Sequence, residues 1–278
     1  MEDMAEPSAT WTGYDADFLG IRVPLPMTLG DADVRELPYP RFTVLLEPAR
    51  RFAVATGVNI DGATLHDLER RGEWDLDDRV PVDEQAGPAL YAGNDLDRGH
   101  LVRRRDPGWG TVAEAREATA ATFFYTNAAP QASVFNQSKQ LWLGLEDHVL
   151  QYADATDQRI SVFTAPVLAP DDPPYRGILI PRRFWKVAAW SSTGAPQDPV
   201  LAAAGFVLDQ TELIDADART AVAPLGGFRT FQVPVADIER LAGVDLGALV
   251  EADVFGRTET ARPAAWVPLS APSEIDLG

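Results

Sequence analysis

The sequence predicts a single α+β domain built around a mixed β-sheet. Three observations carry this. Segments rich in β-branched and aromatic residues alternate irregularly with helical ones, without the regular strand–helix–strand rhythm of a parallel fold. No internal repeat or low-complexity linker divides the chain. Its 278 residues, 46% of them hydrophobic, are enough for one sizeable core.

Residues 1–40 are polar, acidic and proline-containing, with isolated aromatics at Trp11, Tyr14 and Phe18. They read as an irregular N-terminal arm wrapping the domain proper, residues 41–278. Phe42 to Leu46 and Arg51 to Asn59 read as strands from β-branched content and glycine punctuation. Residues 61–97 are loop-rich. Leu96 to Val102 is a short strand, and Val112 to Ala121, rich in Ala, Glu and Arg, is a helix. Phe123 to Asn127 is expected as a strand and Pro130-Gln131 as a turn. A long helix from about Ser133 to Tyr152 follows, because Phe135, Leu141, Trp142, Leu145, Val149 and Tyr152 recur at three- and four-residue intervals. Ile160 to Thr164, Trp185 to Trp190 and Leu201 to Leu208 are buried strands, separated by surface loops at 169–175 and 191–199. Val235 to Ala242 is a helix stopped by Gly243.

Composition excludes several classes. The chain has no cysteine, which removes disulfides, zinc–thiolate sites and thiol catalysis. No apolar run approaches the roughly 18 residues needed to span a bilayer, so no membrane partner is expected. The acidic start, Met1 to Glu6, lacks the apolar stretch of a secretory signal. The expectation is therefore a cytoplasmic location, with leaderless export left open. A net charge of −18 argues against holding nucleic acid by bulk electrostatics. A local basic patch with a divalent cation can still reverse the sign of a cleft. Arg98, Arg103, Arg104 and Arg105 form such a cluster in the sequence.

The chemistry centres on Asp97-Arg98-Gly99-His100. The chain has three histidines, and this one adjoins an arginine cluster. Histidine is suited to accept a proton near neutral pH, and arginine to grip a phosphate. His66 and His148 have no supporting motif and are assigned to the surface. Trp142, Trp185 and Phe184 are expected in the core. Trp109, just after the arginines, is the aromatic left open for base contact.

Asp97-Arg98-Gly99-His100 resembles the D-R-G-H signature of the sugar-nonspecific DNA/RNA endonucleases, the family of the Serratia-type and endonuclease-G-type nucleases. The resemblance continues through Thr126 to Gln131 (similar to S-N-x-x-P-Q), Phe135-Asn136-Gln137 and Trp142 to Glu146 (similar to W-x-x-L-E). It extends to Phe163 to Pro166 (similar to a T-G-P turn, with Ala165 in place of glycine), Ile180 to Val187, and Phe231 to Pro234. The match runs over roughly residues 40–246.

This resemblance implies a ββα-metal finger, a hairpin carrying His100 followed by a metal-binding helix. It implies a Mg²⁺-dependent endonuclease, with Mn²⁺ as substitute, acting on DNA and RNA without sequence preference and leaving 5′-phosphate ends. His100 would be the general base. Arg98 would bind phosphate, joined in substrate contact by Arg103, Arg104, Arg105 and Trp109. Asn136 would be the direct metal ligand, and Glu146 would hold metal-bound waters. Arg71 would be a remote arginine stabilising transition-state charge, and Asn127 would support the site by hydrogen bonding. Two extra residues separate Asn136 from Trp142 and Glu146, so Asp147 stands beside Glu146 as candidate carboxylate, and Arg70 beside Arg71. Two other readings accompany this one: a catalytically silent binding module on the same fold, and a phosphodiesterase of small nucleotides. Family members dimerise, and a leaderless nuclease calls for an inhibitor or regulatory protein as partner.

Overall fold

The computed structural model describes residues 11–69, 72–133, 158–193, 199–217, 229–255 and 266–277. A short strand β1 (Met27–Thr28) precedes β2 (Arg35–Tyr39), β3 (Phe42–Glu47) and β4 (Phe52–Asp61). A long excursion follows, carrying β5 (Leu96–His100), the helix Val112–Ala121 and β6 (Ala128–Ala132). The chain then returns as β7 (Arg159–Val167) and makes two short pairs of residues, β8 (Pro174–Tyr175) and β9 (Ile178–Leu179). Next come the long β10 (Arg183–Thr193) and β11 (Pro199–Asp209), then β12 (Arg229–Val233), the helix Val235–Ala242, β13 (Val244–Asp245) and β14 (Val267–Leu269).

Among the described residues eight strands form one sheet in the order β14-β12-β11-β10-β7-β4-β3-β2. Every neighbouring pair in it is antiparallel, not mixed as expected. The reason lies in the connections. β2–β3–β4 and β10–β11 are direct antiparallel successions. The long excursion leaves from Asp61 and comes back at Arg159, which are register partners. It returns to the end of the sheet it left, so β7 must run opposite to β4, and no crossover is needed.

The sheet is covered on both faces, which explains why its central strands read as continuous apolar runs. Along β7, Ile160 and Val162 join one core cluster while Phe163 and Ala165 join the other. The first face is covered by the excursion, through Leu90, Tyr91, Leu101, Tyr125 and Ala129. The second is covered by Phe18, Leu19 and Val23 of the N-terminal segment and by Val235, Ile238 and Leu249. Residues from 11 onward thus wrap the domain. The sheet also takes in Arg35–Tyr39 from the stretch expected to be irregular. Pro38, which argues against a strand interior, is tolerated there because β2 is an edge strand. The segment Phe163–Pro166, expected as a turn, is continuous strand in register with Phe184–Val187. Trp185 and Phe184 are core residues, both fully buried.

Local signals set the helix ends. The Val112–Ala121 helix starts at a capping box: the Thr111 hydroxyl accepts from the Glu114 amide, and the Glu114 carboxylate accepts from the Thr111 amide. The Val235–Ala242 helix stops at Gly243, whose φ of 66° is left-handed and whose N–H donates to the Glu239 carbonyl.

One polar network ties the excursion to the sheet edge. The buried Asp77 carboxylate accepts from the Arg79 guanidinium at 2.7 Å and from the Tyr39 hydroxyl. That hydroxyl lies 2.6 Å from the Thr126 hydroxyl. Arg79 sits 4.5 Å above the Tyr39 ring, and Trp11 stacks on the same ring at 5.6 Å. Burial alone would raise the Asp77 carboxyl, but the bonds from Arg79 and Tyr39 outweigh it and hold the group below its ordinary range. A depressed carboxylate stabilises the fold above its unfolded value and loses that contribution as pH falls through its folded value. Asp77→Asn is therefore expected to cost about 1–2 kcal/mol near neutrality, a figure reduced because Arg79 is partly exposed. Calorimetry across pH should show the gap to wild type closing in acid; a gap that does not change with pH would contradict the assignment.

Candidate active site

β5 and β6 form a two-stranded antiparallel ribbon in which Arg98 faces Pro130 and His100 faces Ala128. Side chains alternate along a strand, so Arg98 and His100 share one face and Gly99 takes the other. Arg98 is exposed and His100 is half-buried. The glycine between them is required by packing. A Cβ on Gly99 would lie 2.1 Å from Cδ of the buried Gln131. The Gly of D-R-G-H and the Gln of P-Q are therefore two halves of one contact.

Asn127 is fully buried and braces the end of this ribbon. Its side-chain oxygen accepts from the Val102 amide at 2.8 Å, and its amide nitrogen donates to the carbonyls of Val102 and Thr122, both at 2.9 Å. The Leu101 amide donates to the Asn127 carbonyl at 3.0 Å. The chain just beyond His100 is thereby locked. The same bonds show why residues 123–127 are not the expected strand. Tyr125–Asn127 is a 3-10 turn that swings Asn127 inward, and the strand begins at Ala128. Pro130-Gln131 accordingly lies within β6, not at a turn. A two-stranded ribbon gives each strand an edge free of ladder bonds, where proline is admitted.

Aromatic rings line the face that bears Arg98 and His100. The Arg98 guanidinium lies 5.5 Å from the Tyr91 ring and 6.0 Å from that of Tyr125. Trp74 and Phe123 flank the His100 imidazole at 4.5 and 5.0 Å. Tyr91 is buried beneath Arg98, and burial pushes its hydroxyl well above the ordinary range, so it stays protonated. Trp74, Tyr91 and Tyr125 did not emerge as site residues from sequence reasoning. The available signal was positional: Trp74 closes the Arg-Gly-Glu-Trp segment, and Tyr91 opens the approach to β5.

The arginine cluster divides. Arg104 donates to the Leu68 carbonyl at 2.8 Å, and Arg105 lies 3.7 Å from Asp67. The Arg103 backbone amide bonds the Asp106 carboxylate at 3.2 Å. His66, expected at the surface without a role, bonds the Gly110 carbonyl through Nε2 at 2.6 Å, and its amide donates to the Gly108 carbonyl. Together these contacts zip residues 103–110 to residues 64–68. Arg104 and Arg105, expected at phosphate, thus have intramolecular partners in the structure. Trp109 is likewise engaged in packing. Its indole N–H donates to the Asn59 carbonyl at 2.7 Å, Arg41 covers its ring at 4.0 Å, and Phe18 packs at 5.6 Å. The ring proposed for base contact is thus half-buried and held by these neighbours.

Arg71 and its rival Arg70 lie outside the described residues, as do Asn136, Glu146, Asp147, Trp142, His148 and the long helix expected from Ser133. Among the described residues no group of three or more His, Asp or Glu could hold a metal ion. The described half of the site is the ribbon that would supply base and phosphate contact. Among the described residues no helix is long and apolar enough to cross a membrane.

The described residues thus place an antiparallel sheet under a braced ribbon that carries an arginine and a histidine on one face. A model of the DNA/RNA non-specific endonuclease family matches residues 26–253, and the chain belongs to that family. The chain is similar to the uncharacterized protein y4fB of Sinorhizobium fredii (strain NBRC 101917 / NGR234). The two are 38% identical over an alignment of 278 residues that takes in 90% of this chain and 41% of the relative. The chain thus spans about two fifths of that relative's length. Among solved structures it resembles a crystal structure of the EndoG/EndoGI complex, with a TM-score of 0.57 and 20% identity, over 78% of this chain and 86% of that one. That likeness establishes a shared fold.

The Gly99–Gln131 contact is open to direct test. Gly99→Ala is expected to cost about 1–3 kcal/mol by overpacking. Much of that cost should vanish in a Gln131→Ala background, because the clash is with that side chain. Denaturant melts of the four proteins measure the coupling, and simple additivity would disprove it.

Proposed function

We propose that this chain is a Mg²⁺-dependent endonuclease that hydrolyses the phosphodiester bonds of DNA and RNA without sequence preference and leaves 5′-phosphate ends. The observation that carries the reading is the placement of Arg98 and His100 on one face of a ribbon braced by Asn127 and Gln131. Two residues along a strand separate side chains by about 7 Å, a span suited to holding a phosphate at the arginine while the histidine addresses a water beside it.

In this reading His100 accepts the proton of the attacking water. Arg98 binds a non-bridging phosphate oxygen and offsets charge as the phosphorane forms. Tyr91 and Tyr125 support the Arg98 guanidinium and restrict its swing. Asn127 touches no substrate; it keeps the strand end in place. Bound Mg²⁺, or Mn²⁺ in its stead, would supply charge stabilisation at the phosphorane and the leaving oxygen. Asn136 is the proposed ligand, with Glu146 or Asp147 beside it, and Arg71 or Arg70 is the proposed remote arginine. A net charge of −18 means that DNA and RNA meet a repelling surface except at this local site. EndoG in the similar solved complex is bound by EndoGI; an inhibitor protein is the partner proposed for this chain as well.

Plasmid DNA and a long RNA, incubated with the protein in Mg²⁺, should both be cut, and chelation by EDTA should stop the cutting. His100→Ala should lower kcat by roughly 10²–10⁴-fold, the usual contribution of a positioned base, while the melting temperature stays close to that of wild type. Arg98→Ala should raise KM and lower kcat together. Cleavage that persists in His100→Ala would overturn the assignment.

A further inference from the structure

His100 is held by more than its own strand. Trp74 lies 4.5 Å from the imidazole, its plane inclined by 46°, and Phe123 meets the same ring edge-on at 5.0 Å and 87°. Trp74 also packs on Phe123 at 5.5 Å and on Tyr125 at 5.7 Å. It is therefore the hub joining His100 to the aromatic residues beneath Arg98.

Trp74 is placed by backbone bonds that do not involve His100. Asp75 bridges Phe124 in parallel fashion: its amide donates to the Phe123 carbonyl at 3.1 Å, and its carbonyl accepts from the Tyr125 amide at 2.9 Å. On the other side of Trp74 the chain runs tight against Phe123. A Cβ on Gly72 would lie 2.4 Å from Cδ2 of that ring. Only a residue without a side chain can pass there, so Gly72 and Asp75 set where Trp74 sits. The histidine meets a ring already fixed by the fold.

We propose that Trp74 is a positioning residue for His100, an aromatic clamp that holds the plane of the imidazole against the site. The proposal rests on the reading of His100 as general base. A side chain rotates freely between staggered states unless its neighbours forbid it, and a base is effective only when held in its productive geometry. Trp74 and Phe123 bound the ring on two sides and restrict its rotation. The tryptophan touches neither phosphate nor water in this scheme; it acts through the histidine. Its loss should therefore fall on kcat and leave substrate affinity nearly unchanged.

The test compares Trp74→Phe, which keeps a ring face, with Trp74→Leu, which keeps apolar bulk without one. Steady-state cleavage of a short fluorescent DNA duplex in Mg²⁺ gives kcat and KM. Proton NMR of the imidazole carbon-bound hydrogens, read without metal or substrate, reports the ring contact directly. Trp74→Leu should lose about tenfold in kcat with KM within about twofold, a loss of the size that one aromatic contact supplies. The His100 resonances should move downfield as the tryptophan ring current is removed. Trp74→Phe should recover most of both. Should Trp74→Leu not fold, Trp74→Met carries the same comparison. Unchanged kcat and unchanged resonances in the ringless variant would overturn the clamp. Cleavage that survives His100→Ala would instead refute the base, while the NMR comparison still decides whether Trp74 orients the ring.

Discussion

The carboxamide of Asn127 is the contact on which the site depends. Leu101 and Val102 follow the His100 strand without extending it, so their backbone groups have no ladder to join. Buried polar groups of this kind must be satisfied or they cost roughly 1–3 kcal/mol each. Asn127 satisfies both the amide and the carbonyl of Val102, reaches the Thr122 carbonyl as well, and offers its own carbonyl to Leu101. One side chain thus joins the end of β5, the end of the preceding helix and the start of β6. The ribbon that carries Arg98 and His100 is rigid because its ends have nowhere else to go.

That ribbon belongs to a long excursion between two adjacent strands of the main sheet. The excursion leaves from Asp61 and rejoins the sheet at Arg159, its register partner. Its closure keeps the sheet antiparallel and turns the excursion into a layer over one face. The layer is anchored by Leu90, Leu101 and Tyr125 in the core and by the Asp77–Arg79–Tyr39 network at the sheet edge. Fold and candidate site are separable in this sense: the sheet supplies an apolar floor, and the excursion carries the ribbon with Arg98 and His100.

Electrostatics sharpen the point. A chain of net charge −18 has little general attraction for a polyanion, so any cation proposed to meet phosphate would have to act locally. The sequence offers four arginines close together. The structure gives Arg104 and Arg105 partners in the 66–69 segment and leaves Arg98 on the histidine's face, above two tyrosines. The clustered arginines therefore act in part as struts for the loop that precedes the Arg-Gly-Glu-Trp segment. An arginine with a backbone carbonyl for a partner stabilises a loop; one stacked on aromatic rings at an exposed position remains available to a ligand.

By itself the sequence determined most of the segments and singled out the residues proposed to react. The strands around Phe42–Leu46, Arg51–Asn59, Ile160–Thr164 and Leu201–Leu208, and the helices Val112–Ala121 and Val235–Ala242, follow from local composition, capping and glycine stops, which act within a few residues. Arg98, His100 and Asn127 were legible from motif and chemistry. Tertiary structure alone decided strand direction, since the return of the chain at Arg159 is set by packing nearly a hundred positions away. It converted residues 123–127 from strand to turn, because Asn127 finds better partners inward than along a ladder. It seated Trp109 between Arg41 and Phe18, and brought Trp74 against His100. Periodicity reports how each segment is buried. Which side chains meet depends on where distant segments are laid down, and no local pattern carries that information.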